Sequence, residues 1–189
     1  MKKVSTKSKI FLLLGMFIIP ISIFSIIFTT QVKASKFVLL DQNQTVDKTY
    51  FASGDVLDIR GNINGDAFLA GSDITFSGNI NGNLFVAANS VNLSGKINGT
   101  VFSAGNSLTI NSEGIDNLFV AGNLININSK INKNSYVAGN SVVISNNSEI
   151  GQDLFIGASA VTLNADVKRD LSVDSTTITL GSMLVEMRQ

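Results

Sequence analysis

The stretch 61–90, GNINGDAFLAGSDITFSGNINGNLFVAANS, states one phrase twice. GNINGDAFLAG at 61–71 returns as GNINGNLFVAA at 78–88, a step of 17 residues. Working outward in both directions, the same step recurs. Aromatic residues stand at Phe51, Phe68, Phe85, Phe102, Phe119 and Tyr136, each 17 apart, and Phe155 follows after 19 because SNNSEIGQ carries two extra residues. One further step of 17 reaches Ser172. Apolar columns accompany the aromatics. One runs through Leu57, Ile74, Val91, Leu108, Ile125, Val142, Val161 and Ile178, and another through Ile59, Phe76, Leu93, Ile110, Ile127, Ile144, Leu163 and Leu180. A third contains Ile63, Ile80, Ile97, Ile131, Ile150, Val167 and Leu184, with Ile115 one residue out of step. A fixed period of this length is the mark of a repeat architecture.

Each copy holds short alternating stretches such as ITF, VNL and LTI, the period-two pattern of a strand, while helical periodicity is absent from the repeats. Asn-Gly at 64–65, 81–82 and 98–99 would by itself suggest hairpins. The main apolar positions, however, lie about six, six and five residues apart, which asks for three short strands and three bends per repeat. The expectation is an all-β fold: a single-stranded parallel β-helix of about eight triangular rungs with about 17 residues each. Like residues then stack on like at about 4.8 Å, which accounts for the fidelity of the repeat. On this reading Ile63, Phe68, Ile74 and Phe76 fill the core, and Asn64-Gly65 and Ala70-Gly71 turn corners. Gly71, Gly105, Gly122 and Gly139 are expected to supply unusual backbone angles, and Asn89, Asn106, Asn123 and Asn140 to form an amide ladder.

Composition removes several kinds of chemistry. The chain has 189 residues, no Cys and no His, one Pro, no Trp and a formal net charge of zero. Thiol chemistry, thiolate metal sites and histidine general bases are therefore excluded, and no cofactor is expected. No basic patch follows the N-terminus, so no nucleic-acid partner is expected. Carboxylates gather at Asp55, Asp58, Asp66 and Asp73 and again at Asp153, Asp166, Asp170 and Asp174. Asp153 and Asp170 share a column on successive rungs, as paired acids of a polysaccharide-cleaving β-helix would. That column also holds Asp66, Asn83, Thr100, Asn117 and Asn134, so Asp or Asn there reads as turn chemistry and not as catalysis. The chain is expected not to be an enzyme.

The first residues follow a different rule. MKKVSTKSK carries four lysines and is followed by an uncharged run from Ile10 to Thr30. As a helix that run is about 30 Å long, the thickness of a bilayer core. Val32 and Ala34 then sit as the small residues of a signal-peptidase site. Residues 1–34 read either as a cleaved signal peptide or as an uncleaved membrane anchor; both place the remainder outside the cytoplasm. Residues 35–49 are a linker or N-terminal cap, 50–186 the β-helix, and 187–189 a tail.

The phrase I-N-G-[DN]-x-F-x-A-G-x-x-[IV]-x-[IF]-x-G, spanning Tyr50 to Leu184, resembles the bactofilins, bacterial polymer-forming cytoskeletal proteins. The resemblance implies a right-handed β-helix whose units join end to end into filaments without nucleotide, at a membrane. The long export-like N-terminus departs from that family and points to an envelope-associated version. Independently, a solenoid ends in open strand edges, which proteins usually cap or charge. The last rung here runs into SMLVEMRQ without a polar cap, so Leu180, Met183, Leu184, Val185 and Met187 are the self-assembly candidates. Expected partners are copies of the same chain, the membrane through residues 1–34, and envelope components. The alternative is a secreted or anchored surface module that binds envelope glycan.

Overall fold

In the computed structural model of the chain, residues 35–181 are described. The expected hydrophobic helix within 10–30 lies outside them. Long strands β1 (Ser35–Leu40), β3 (Tyr50–Ile59), β5 (Ala67–Phe76), β7 (Leu84–Leu93), β9 (Val101–Ile110), β10 (Leu118–Ile127), β12 (Ser135–Ile144), β14 (Leu154–Leu163) and β16 (Leu171–Leu180) stack in that order in one sheet. Two-residue strands complete seven of the rungs: β2 (Thr45–Val46), β4 (Asn62–Ile63), β6 (Asn79–Ile80) and β8 (Lys96–Ile97) in one sheet, β11 (Lys130–Ile131), β13 (Glu149–Ile150) and β15 (Asp166–Val167) in another, with isolated bridges at Glu113 and Ile115 after β9. Every pairing is parallel and in register, for example Phe68↔Phe85 and Ile74↔Val91. The fold is an all-β parallel solenoid of about eight rungs.

Each ten-residue strand is two strands joined by a bend, and β1 matches the second half of one. In β5 the buried residues are Ala67 and Leu69, then Ile74 and Phe76, so the inward phase changes parity across Gly71–Asp73. The pairing omits Ser72, where the chain turns from one face to the next. The core is built from these inward positions, joined by Ile63, Ile80, Ile97, Ile131, Ile150 and Val167 of the third face.

The aromatic column corrects the sequence expectation. Phe68 is only half-buried, Phe51 is 71% exposed, and Phe102, Tyr136 and Phe155 are exposed. Alternation is the reason. Ala67 and Leu69 flank Phe68 and point inward, so the phenyl between them points outward. The spacing of six, six and five had counted an outward column among the inward ones.

The glycine expectation also changes. Among the described residues only Gly114 has positive φ, at 79°. The column through Gly71 and Gly105 is held by close approach instead: a Cβ there would lie 2.6 Å from the Gly54 carbonyl oxygen, or 2.1 Å from that of Ala88. Gly114 accounts for the out-of-step isoleucine. Its left-handed conformation brings Ile115 into the core, fully buried, where it bridges Ile131 across 16 residues and not 17.

Both enlargements of the 17-residue step fall at one corner. β1 meets β3 with an offset of 19, and so does β12 with β14. The extra residues form tight turns at Asp41–Gln44 and Ser145–Ser148, closed by the Gln44 amide donating to the Asp41 carbonyl and the Ser148 amide to that of Ser145. Residues 35–49 thus carry β1 and β2, which stack on the second half of β3 and on β4.

Candidate assembly surfaces and polar columns

The outward aromatics form a continuous ladder. Neighbouring rings from Phe51 to Phe155 stack with centroids 4.5–5.1 Å apart and planes inclined by 2–12°. Ring faces meet one another along the stack, so the edges face solvent. Beside the ladder runs a column of small exposed residues, with Ala70, Ala87, Ala104, Ala121 and Ala138.

The Asp/Asn column behaves as structural turn chemistry. The Asn83 backbone amide donates to Asp66 Oδ1 at 2.8 Å and that of Thr100 to Asn83 Oδ1 at 2.9 Å. The pattern continues with the Asp153 amide on Asn134 Oδ1 and the Asp170 amide on Asp153 Oδ1. Each side chain thus satisfies an amide of the next rung, which would otherwise go unpaired as the chain leaves the corner.

Asp153 and Asp170 are brought together through that backbone amide, not as two facing acids. Arg169 donates from both Nε and Nη2 to the Asp153 carboxylate, and this hydrogen bonding holds its pKa below the usual carboxylate range. Lys133 and Asn132 do the same for Asp116. A carboxylate fixed in its charged form by a guanidinium is a poor proton donor, so the geometry gives no support to a glycosidase-like pair. Among the described residues no three acidic side chains converge to hold a metal ion.

The expected amide ladder lies elsewhere. In the Asn89–Asn140 column Asn123 donates to Asn106 at 3.2 Å. The longer ladder runs along the third face: Asn98 to Asn81 at 2.8 Å, Asn81 to Asn64 at 2.9 Å and Asn64 to Asp47 at 2.6 Å. Asparagines of the repeated Asn-Gly therefore cross-brace successive rungs.

Charge is sorted by face. Between 84 and 163 every charged residue (Lys96, Glu113, Asp116, Lys130, Lys133, Glu149 and Asp153) lies outside the long strands. The two faces made by those strands are uncharged over that span. Their distribution was legible in the sequence once the columns were aligned, but which columns point outward was not.

Of the assembly candidates, Leu180 ends β16 and is 54% exposed, with Ile178 at 44%. Their counterparts one rung earlier, Leu163 and Val161, are 0% and 2% exposed. Met183, Leu184, Val185 and Met187 lie outside the described residues. At the other end β1 pairs only with the Gly54–Ile59 half of β3, so among the described strands none lies against 50–53 on that side. No family model, no curated protein and no solved structure matches this chain.

Proposed function

We propose that this chain is a non-enzymatic structural protein, a β-solenoid that assembles end to end with copies of itself on the outer side of the cell membrane. Residues 1–34 serve as anchor or export signal, and the resemblance to bactofilins supports a right-handed, triangular coil within a polymer. One observation carries the reading: the final strand β16 exposes Ile178 and Leu180, which occupy columns that are buried in the rung before it. Covering such residues removes apolar area from water, and the outer edge of β16, which pairs with no other strand among the described residues, offers backbone groups to a neighbour.

The aromatic ladder weighs against the glycan-binding alternative. Sugars stack on aromatic faces, and here those faces are turned toward one another within the ladder. The test uses the full chain purified in mild detergent, by sedimentation and negative-stain microscopy. Ordered filaments are expected. Deletion of Met183–Gln189, or Leu180→Lys combined with Leu184→Lys, is expected to abolish them. A chain that remains monomeric at high concentration defeats the proposal, and retention of a monomer on envelope glycan would favour the alternative.

A further inference from the structure

The aromatic ladder is a ridge, and the alanine column beside it is a trough of the same pitch. Residues 68, 85 and 102 of the ridge pair in register with one another, as do 70, 87 and 104 of the trough. The register is one to one at each of these steps and the rings stay within 2–12° of parallel, so ridge and trough keep a constant separation from rung to rung. The flanking columns, through Asn83 and Asn117 on one side and Asn89 and Asn123 on the other, carry no Lys or Arg. We propose that this face is a lateral docking surface for a second copy of the chain, packed with its solenoid axis parallel to the first.

Shape and charge choose the occupant. In a face-to-face pair whose two-fold axis runs along the solenoid axis, each ridge lies over the other copy's trough at every rung. A two-fold along the strands, which makes the axes antiparallel, puts ridge on ridge. The surface is thus self-complementary in one orientation, as an isologous interface requires. Small side chains opposite large ones let two sheets interdigitate at about 10 Å. A lipid surface is a weaker fit, because interfacial binding draws on a basic rim, and the charged residues between 84 and 163 all lie off this sheet.

Area sets the strength. Seven rungs at about 4.8 Å and five residues at about 3.3 Å cover roughly 500 Å² per copy. A standard stable interface buries about 800 Å² per partner, so one pair alone is weak. The inference therefore rests on the end-to-end reading for its strength: a polymer repeats the face and gains from multivalency.

The chain lacks Cys, so Asn89→Cys and Asn140→Cys each give one spin-labelling site at an exposed corner. Dipolar distances are measured on the full chain in detergent, alongside negative-stain images. The parallel pair is expected to give the same intermolecular distance at both labels and filaments in pairs. Ala87→Lys with Ala121→Lys, at exposed positions, should remove both signals while leaving filaments single, with unchanged circular dichroism. Unequal distances, or single filaments without a dipolar signal, overturn the lateral pairing and leave the end-to-end reading standing. A signal found only on phosphatidylglycerol vesicles makes the occupant a lipid surface and also overturns it. Equal distances without any sedimentable polymer overturn the end-to-end reading instead and support the pairing.

Discussion

Gly114 shows how one residue keeps a coil in phase. The segment NSEGID lacks an isoleucine at the expected place and offers Ile115 one step late. With φ of 79° at Gly114, that isoleucine reaches the core, and the Ile97 amide still donates to the Glu113 carbonyl. A Cβ at this position would lie 2.9 Å from Asn98 Oδ1, and the left-handed region costs an L-residue about 1–2 kcal/mol. Gly114→Ala is therefore expected to lower stability by about that amount, read from the urea midpoint of unfolding. Ser103 presents the opposite case. It stands in a column between Val86 and Val120, is 5% exposed, and among the described residues its hydroxyl has no hydrogen-bond partner. An unsatisfied buried hydroxyl costs about 1–3 kcal/mol. Ser103→Val should raise the urea midpoint; a fall would mean that the hydroxyl is bonded.

At the scale of the element, the ladder stabilises the outside of the sheet as the aliphatic columns stabilise its inside. Phe85 stacks on both Phe68 and Phe102, with centroids at 4.5 and 4.8 Å. Phe51 stacks on Phe68 at 4.9 Å and is the first ring of the ladder. Each aromatic pair contributes about 0.5–1.5 kcal/mol beyond its burial. Phe85→Ala is thus expected to cost roughly twice as much as Phe51→Ala in thermal unfolding followed by circular dichroism. Equal losses would show that neither the second stacking partner nor the deeper burial of Phe85 sets the cost at these positions. Strand type, parallel register and the enlarged corner at Ser145–Ser148 were readable, because the 17-residue columns and the extra residues in SNNSEIGQ are explicit in the chain; the matching corner at Asp41–Gln44 was not, since residues 35–49 carry no aromatic of the column. The orientation of the aromatic column was not. A phenyl between Ala67 and Leu69 fits either phase of an alternating strand until the bend at Gly71–Asp73 fixes which neighbours face the core.

For the whole molecule, stability is a chain of neighbour contacts, since no rung can bury its apolar face alone. Interior strands such as β7 and β9 have a rung on either side, whereas among the described strands β16 pairs only with β14. Its inward residues are correspondingly less buried than those of β14. In the unassembled chain, amides of β16 are expected to exchange with solvent well before those of β7, as measured by hydrogen–deuterium exchange. If end-to-end assembly covers β16, that difference should shrink in the sedimented polymer. Uniform exchange in both states would count against a stack built from unequal ends.

The sequence by itself determined the period, the strand character, the parallel stacking of like on like and the lack of histidine and thiol chemistry. Each follows from residue identity at a fixed spacing. It also placed Asp and Asn at the corners, where their role as acceptors for the next rung follows from local chemistry. Only the tertiary structure decided which columns face outward, because inward and outward exchange with a single change of phase in a bent strand. That decision moved the phenyl column from the core to the surface. It also showed that tight glycines answer to the carbonyl of the rung beneath, a contact between residues 17 apart that no local conformation reveals.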